Sequence, residues 1–165
     1  MSHRLVCYGL FVAWAAHDVE EVLTATWWSA RTTPRLLAEG WPPAVVNSIG
    51  TTTPRFAVAA ALVGIAVLAA AVRGARTGGR SLFFQAAVLV FGWHGVVHAG
   101  QALLVRGYVP GLVTAILLVI PYAFRTRRHF HRPPVPTRTI IVVAVAAIVL
   151  TALAQALSRT LIAPG

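Results

Sequence analysis

The chain has 165 residues, of which 58% are hydrophobic and only 11% charged, a balance far from that of a soluble domain and close to that of a small polytopic membrane protein. All 14 residues of the Lys/Arg class are arginine, and a net charge of +10 would suggest nucleic acid in a soluble protein. Here the arginines fall between long apolar runs, where they set topology and meet anionic headgroups, so nucleic acid is excluded as a partner and the lipid bilayer takes its place.

Five segments are long enough to span a bilayer core of about 30 Å at about 1.5 Å per residue. They lie at 5–28, 56–73, 82–105, 108–124 and 139–158. The expectation is a single all-α domain over 1–165, an integral membrane bundle of about five transmembrane helices. The first run starts close to Met1 but is longer than a signal core, lacks a small-residue cleavage site and contains acids, so it reads as a retained helix. Its one cysteine, Cys7, leaves no disulfide framework and no paired-thiol metal motif. The connection 29–55 contains Pro34, Pro42, Pro43 and Pro54 with Glu39 and Trp41, and reads as a solvated loop with room for a short interfacial helix.

The second span, entered at Pro54, is nearly pure Ala, Val, Leu and Gly and reads as scaffold. The third carries "FGWHGVVHAGQ". The fourth, "YVPGLVTAILLVIPYAF", enters at Pro110, has Tyr108 and Tyr122 at interface depth, and has Pro121 marking its end or a kink. The fifth, "TIIVVAVAAIVLTALAQAL", is another plain span. No internal repeat is visible, which weighs against an inverted-repeat transporter. Arg4, the arginines of 73–81 and those of 125–138 outnumber Arg31, Arg35, Arg55, Arg106 and Arg159 on the other side, which places the N-terminus in the cytoplasm and the C-terminus outside. The expected location is a multi-pass place in the cell membrane, of the bacterial inner-membrane type. His3, His129 and His131 lie in basic segments and read as headgroup contacts, and Trp27, Trp28 and Trp41 as an aromatic belt.

The chain has four acids, Asp18, Glu20, Glu21 and Glu39, and three of them fall inside the first span. An ionised acid near a helix centre costs about 2.5 to 3.5 kcal/mol on an insertion scale, whereas each Leu, Val or Phe returns only about 0.3 to 0.6 kcal/mol. This span therefore needs internal partners, a metal, or protonated acids. At about 100° per residue, Glu20 lies about 60° to one side of His17 and Glu21 about 40° to the other, so the three share one face, with Asp18 at its edge. In the third span, His94 and His98 stand at i and i+4 on a stripe that also holds Gln101.

His17 and His94 are each about twelve residues into their helices, roughly 18 Å from the same surface, so the two polar faces meet at one level. Histidine and carboxylate at i, i+3 and i+4 are how helical bundles build metal sites, and His17, Glu20, Glu21, His94 and His98 form the candidate ligand set. Asp18 and Gln101 are candidates for orienting a ligand from behind. Ala13, Ala16, Gly92, Gly95 and Ala99 would let the two helices approach closely. Trp14 and Trp93, close in sequence to the histidines, read as helix packing or as the wall of an apolar pocket.

Three ordered segments resemble the HXXEE-domain family of small membrane proteins. "HDVEE" places His17, Glu20 and Glu21 at the defining positions, and "HGVVH" and "YVPGLVTAILLVIP" are similar to later segments of that family. The resemblance runs from the first span to about Pro121 and implies a small multi-helix membrane protein with a metal-dependent activity of undefined reaction.

Imidazoles and carboxylates without thiols suit a divalent ion such as zinc or iron, with manganese also compatible, and argue against copper(I) or an iron–sulfur cluster. With one ion, His17, His94 and His98 would hold it while Glu20 or Glu21 served as general base; with two, Glu20 and Glu21 would bridge. The leading expectation is a metal-dependent membrane enzyme, a hydrolase or oxidoreductase, acting on a hydrophobic small molecule or lipid. The residues leave open a proton- or metal-ion-coupled transporter and a non-catalytic membrane subunit of a partner enzyme.

Overall fold

The computed structural model describes residues 2–49, 53–130 and 134–161. His131 and Arg132, assigned above to the basic loop, lie outside the described residues, and no strand occurs among those described.

Helix α1 (His3–Ala38) starts at Ser2, whose hydroxyl accepts the Leu5 N–H at 3.4 Å, and runs for 36 residues. At about 1.5 Å per residue it is some 54 Å long, well beyond the thickness of a bilayer core. It continues through Pro34, so residues 29–38, expected as loop, are helical. The chain then turns at Gly40 into the short helix α2 (Pro43–Ile49), in the connection where a short helix was expected. The inward positions of α1 are Val6, Cys7, Leu10, Ala13, His17, Glu21, Ala25, Trp28, Thr32 and Leu36, from Cys7 onward a single stripe in steps of three or four. The outward face carries Leu5, Val12, Val19, Leu23 and Trp27.

Helix α3 (Thr53–Arg76) is anchored to α1 at its first residue: the Thr53 N–H donates to Thr26 Oγ1 at 2.8 Å and the Thr53 hydroxyl to the Val22 carbonyl at 3.0 Å. Farther along, Trp14 of α1 packs against Gly64, so its indole serves helix packing. Helix α3 ends in a turn in which the Gly79 N–H reaches the Gly74 carbonyl at 2.8 Å. Helix α4 (Leu82–Leu104) is capped by Ser81, and the buried amide of Gln85 donates to the Gly79 carbonyl at 3.0 Å. It closes with Arg106 at φ 50° and Gly107 bonded back to Ala102.

A continuous rod follows, made of α5 (Leu112–Thr114), a π-helical turn (Ala115–Val119) and α6 (Ile120–Phe130). Pro121 has no N–H and its ring crowds the carbonyl four residues back; the wide turn just before it relieves both conflicts, and the helix passes through. Helix α7 (Thr137–Leu161) packs on α3 and α4 and exposes Ile141, Val145, Ile148, Val149 and Leu153.

Among the described residues, three helices are long and apolar enough to cross a membrane: Phe56–Arg76, Leu82–Leu104 and Thr137–Leu157. They fall where the sequence places the second, third and fifth spans. Gly92 and Gly95 do permit close packing, but against Ala123, Val119 and Ile120 of the rod rather than against α1. Trp93 points outward and is 68% exposed, so it walls no pocket.

Two apolar clusters bracket the middle of the molecule. One joins Val6, Leu10 and Ala13 of α1 to Ala71, Phe84, Phe91, Val119 and Phe130; the other joins Trp28 and Leu36 of α1 to Val46, Val105 and Val109. His17 and Glu21 occupy the stretch of α1 between them.

The turn after α3 provides a matched pair of substitutions. Gly78 and Gly79 both have positive φ, but a Cβ at Gly78 meets nothing within 4 Å, whereas one at Gly79 would stand 2.3 Å from Phe130 Cε1. Thermal unfolding in detergent should show Gly78→Ala costing about 1 kcal/mol and Gly79→Ala about 2 kcal/mol or more. Equal melting temperatures for the two variants would contradict the packing of Phe130 on this turn.

Candidate metal centre

Between Ala13 and Ala25 the buried stripe of α1 turns polar for one helical turn, presenting His17 and Glu21 four residues apart. Helix α4 presents His94 and His98 at the same spacing. One donor atom from each of the four side chains lies within 4.8 Å of every other. His94 Nε2 is 3.2 Å from His17 Nε2 and 2.9 Å from His98 Nε2. The Glu21 oxygens stand 3.3 Å from His98 Nε2 and 3.8 Å from His17 Nε2. Tetrahedral arms of about 2.0 to 2.1 Å put neighbouring ligand atoms about 3.3 Å apart, within the spread of these separations. The group can thus hold a metal ion. His17, Glu21 and His98 are buried, and His94 forms the exposed side.

Glu20 does not join this group. Its carboxylate turns to the start of the rod, where Oε1 accepts from the Val113 N–H at 3.1 Å and the Tyr108 hydroxyl at 2.7 Å. Its Oε2 accepts from the Thr114 N–H at 2.7 Å and the Thr114 hydroxyl at 2.6 Å. Gly111, at the N-cap position, has no side chain to satisfy these first-turn donors, and Glu20 does so from the neighbouring helix. A negative carboxylate there also meets the positive end of the helix dipole.

This cap determines the protonation of His17. A threonine hydroxyl has one proton. The neighbours that can accept it are Glu20 Oε2 at 2.6 Å, an unprotonated His17 Nδ1 at 2.9 Å and the Gly111 carbonyl at 3.2 Å, and the shortest of these, the charge-assisted bond to Glu20, takes it. Thr114 Oγ1 must then accept from His17 Nδ1, 2.9 Å away. His17 therefore carries its proton on Nδ1 and aims the bare Nε2 at His94, His98 and Glu21. A proton on His94 Nε2 could serve only one of its two imidazole neighbours, whereas a divalent cation takes all three lone pairs. The donor set fits such an ion, and the chain from His17 through Thr114 to Glu20 is the kind of outer support that metal-binding histidines receive.

The loop before the rod closes one side of the group. Gly111 has φ 79°, and a Cβ on it would stand 2.6 Å from His17 Cε1 and 2.9 Å from Glu21 Cγ. The loop is held to α1 by the Trp28 indole N–H, which donates to the Tyr108 carbonyl at 2.6 Å, and by Arg35, which donates to the Val105 carbonyl at 2.7 Å.

A cavity of about 350 Å³ opens on Glu21, His94 and His98, with Gln101 beside them and walls that include Trp28, Trp41 and Phe56. Asp18 is half-buried on α1 and outside the group. Sequence reasoning missed Tyr108, Gly111 and Thr114 as members of the site. Their signal was the "PGLVT" entry, in which a Pro-Gly turn opens a helix with no cap residue of its own.

The fold and site define a class: among the described residues, an all-helical protein with three helices apolar enough to cross a membrane and a largely buried His/Glu group able to hold a metal. Within that class the chain belongs to the HXXEE family. Residues 8–126 match the family model described as a protein of unknown function with HXXEE motif, and His17, Glu20 and Glu21 supply the motif. No curated protein and no solved structure matches the chain.

Thr114→Val removes the acceptor of the His17 Nδ1 proton while keeping the side-chain shape. It should weaken Zn²⁺ binding by about 10- to 100-fold in a chelator competition, and Thr114→Ser should restore it. Wild-type affinity in Thr114→Val would remove the assigned role.

Proposed function

We propose that this chain is a multi-pass protein of the cell membrane whose His17, Glu21, His94 and His98 hold one divalent ion, zinc or iron, for a reaction on a hydrophobic small molecule or lipid. The observation that carries the reading is the convergence of three imidazole nitrogens and a carboxylate at the end of an apolar cavity. Structural polar networks hold helices together without an adjoining cavity, whereas a reaction centre needs one.

Membrane residence is supported by the three apolar helices and by the outward Leu5, Val12, Val19, Leu23 and Trp27 of α1. In this reading α1 and the rod also cross, which gives five spans, with the N-terminus cytoplasmic as the arginine distribution favours. Both carry polar residues that lower their mean hydropathy, but on α1 His17 and Glu21 face inward.

With Glu20 bound up in capping, Glu21 is the carboxylate available to the chemistry, and a bridged pair of ions loses its second bridge. A bound divalent ion supplies Lewis acidity and lowers the pKa of a coordinated water. The chain's own residues divide the remaining work. His17 is held in one tautomer by Thr114, Glu21 stands where it can complete the ligand set or take a proton, and the walls of Trp28, Trp41 and Phe56 restrict water. Hydrolysis and oxidation both remain compatible with this arrangement.

Metal analysis of protein purified gently in detergent should find one zinc or iron per chain. His94→Ala, at the exposed side of the group, should lose it with the helical signal intact, whereas Glu39→Ala should keep it. Wild-type protein that neither retains nor rebinds a divalent ion would overturn the reading, and metal or proton flux in liposomes without turnover of any substrate would favour transport.

A further inference from the structure

The walls of the cavity carry information about what it admits. Along α1 it extends from Glu21 to Ser29, about 12 Å at 1.5 Å per residue, and along α4 from His94 to Leu104, with Val105 just beyond. Its volume of about 350 Å³ is small and the cavity is open along part of its length, so its described walls have room for one alkyl chain or ring system and not for two chains. It lies at the small end of the usual range for ligand pockets, about 300 to 1,000 Å³.

Among the described residues the wall contains no arginine, and its only acid is Glu21, at the metal end. The indole N–H of Trp28 is engaged by the Tyr108 carbonyl, so Trp28 offers the cavity an apolar surface. Away from the centre, a charge on the occupant would meet Trp28, Trp41, Phe56 and Val109, with the neutral hydroxyl of Ser29 and no opposite charge among the described wall residues there.

Resting on the metal-centre reading above, we propose that the substrate is an uncharged molecule with a single apolar chain or flat ring system, whose one polar end meets the ion, and not a two-chain phospholipid. The polar end sits at Glu21, His94 and His98, and the apolar body runs between α1 and α4 toward Trp28 and Trp41. Gln101, one turn from His98 on the same stripe and lining the cavity, offers a neutral contact beside the polar end.

The test uses full-length protein loaded with Co²⁺, whose visible spectrum reports on the centre, and three hydroxamic acids as probes. Octanohydroxamic acid should perturb the spectrum at concentrations at least about ten-fold lower than acetohydroxamic acid, because its chain enters the cavity. Suberic acid monohydroxamate, of similar length but ending in a carboxylate, should bind at least about ten-fold more weakly than the octanoyl probe. Val97→Trp fills the cavity from the exposed side of α4 and should abolish the chain-length preference while leaving the Co²⁺ spectrum and acetohydroxamic acid binding unchanged; Val45→Trp does the same from α2 should the first variant fold poorly. Equal affinity for the acetyl and octanoyl probes, equal affinity for the neutral and carboxylate-ended chains, or a preference that survives the filled cavity would each overturn the proposal. Absence of a Co²⁺ spectrum would instead overturn the metal centre itself.

Discussion

The carboxylate of Glu20 joins two parts of the chain more than ninety residues apart, and the geometry of the candidate centre depends on that junction. Two backbone N–H groups and two hydroxyls converge on it, which satisfies the open end of a helix with no cap of its own. A surface ion pair would be a weak tie, but hydrogen bonds to a charged acceptor are among the stronger ones. The consequence extends beyond stability. With the Thr114 proton committed to an acceptor, His17 has one tautomer and one ring orientation, and Gly111 lies against His17 and Glu21. The motif's first glutamate thus shapes the site from behind while its second enters it.

The position of the centre follows from the apolar residues around it. Val6, Leu10 and Ala13 are buried in one cluster and Trp28 and Leu36 in the other, and both sets lie on the stripe that carries His17 and Glu21. Because both ends of α1 are fixed by apolar packing, its middle cannot turn its polar residues outward without exposing the rest of the stripe. Transferring an ionised acid into apolar surroundings is costly. Here that cost is met by convergence: Glu21 faces two imidazoles, and Glu20 faces four donors.

Much of this was legible in the sequence, because it rests on short helical spacings. His17 with Glu21, and His94 with His98, are i, i+4 pairs, and equal depth in two helices suffices to bring them together. Helical spacing could not separate Glu20 from Glu21, since both lie within about 60° of His17. What separates them is the start of the rod, which arrives from residues 108–114 and claims only one of the two. The extent of α1 was hidden for a related reason: Pro34 and the prolines after it signal a loop locally, yet Leu36 finds a buried place beside Val46 and Val105 that keeps the helix going. Trp28 and Trp41 read as an interfacial belt because their partners, the 105–109 loop and α2, are distant in sequence or in a short helix whose packing no local spacing shows.

The wide turn at Ala115–Val119 connects Pro121 to the centre through register. The buried positions of this segment are Ala115, Val119 and Ala123, two successive steps of four. In a straight α-helix eight residues overshoot two turns by about 80°, which would carry Ala123 away from Gly92 if Ala115 stayed inside. A π-helical turn adds about one residue per turn and absorbs the overshoot. Both ends of the rod can then face inward together, with Thr114 on His17 at one end and the Tyr122 hydroxyl on the Val6 carbonyl, 2.9 Å away, nearer the other. Pro121 favours the wide turn because an ordinary α turn there would leave its ring against the Leu117 carbonyl. A proline that reads in sequence as an end or a kink thus serves to place a threonine seven residues earlier against the imidazole it orients.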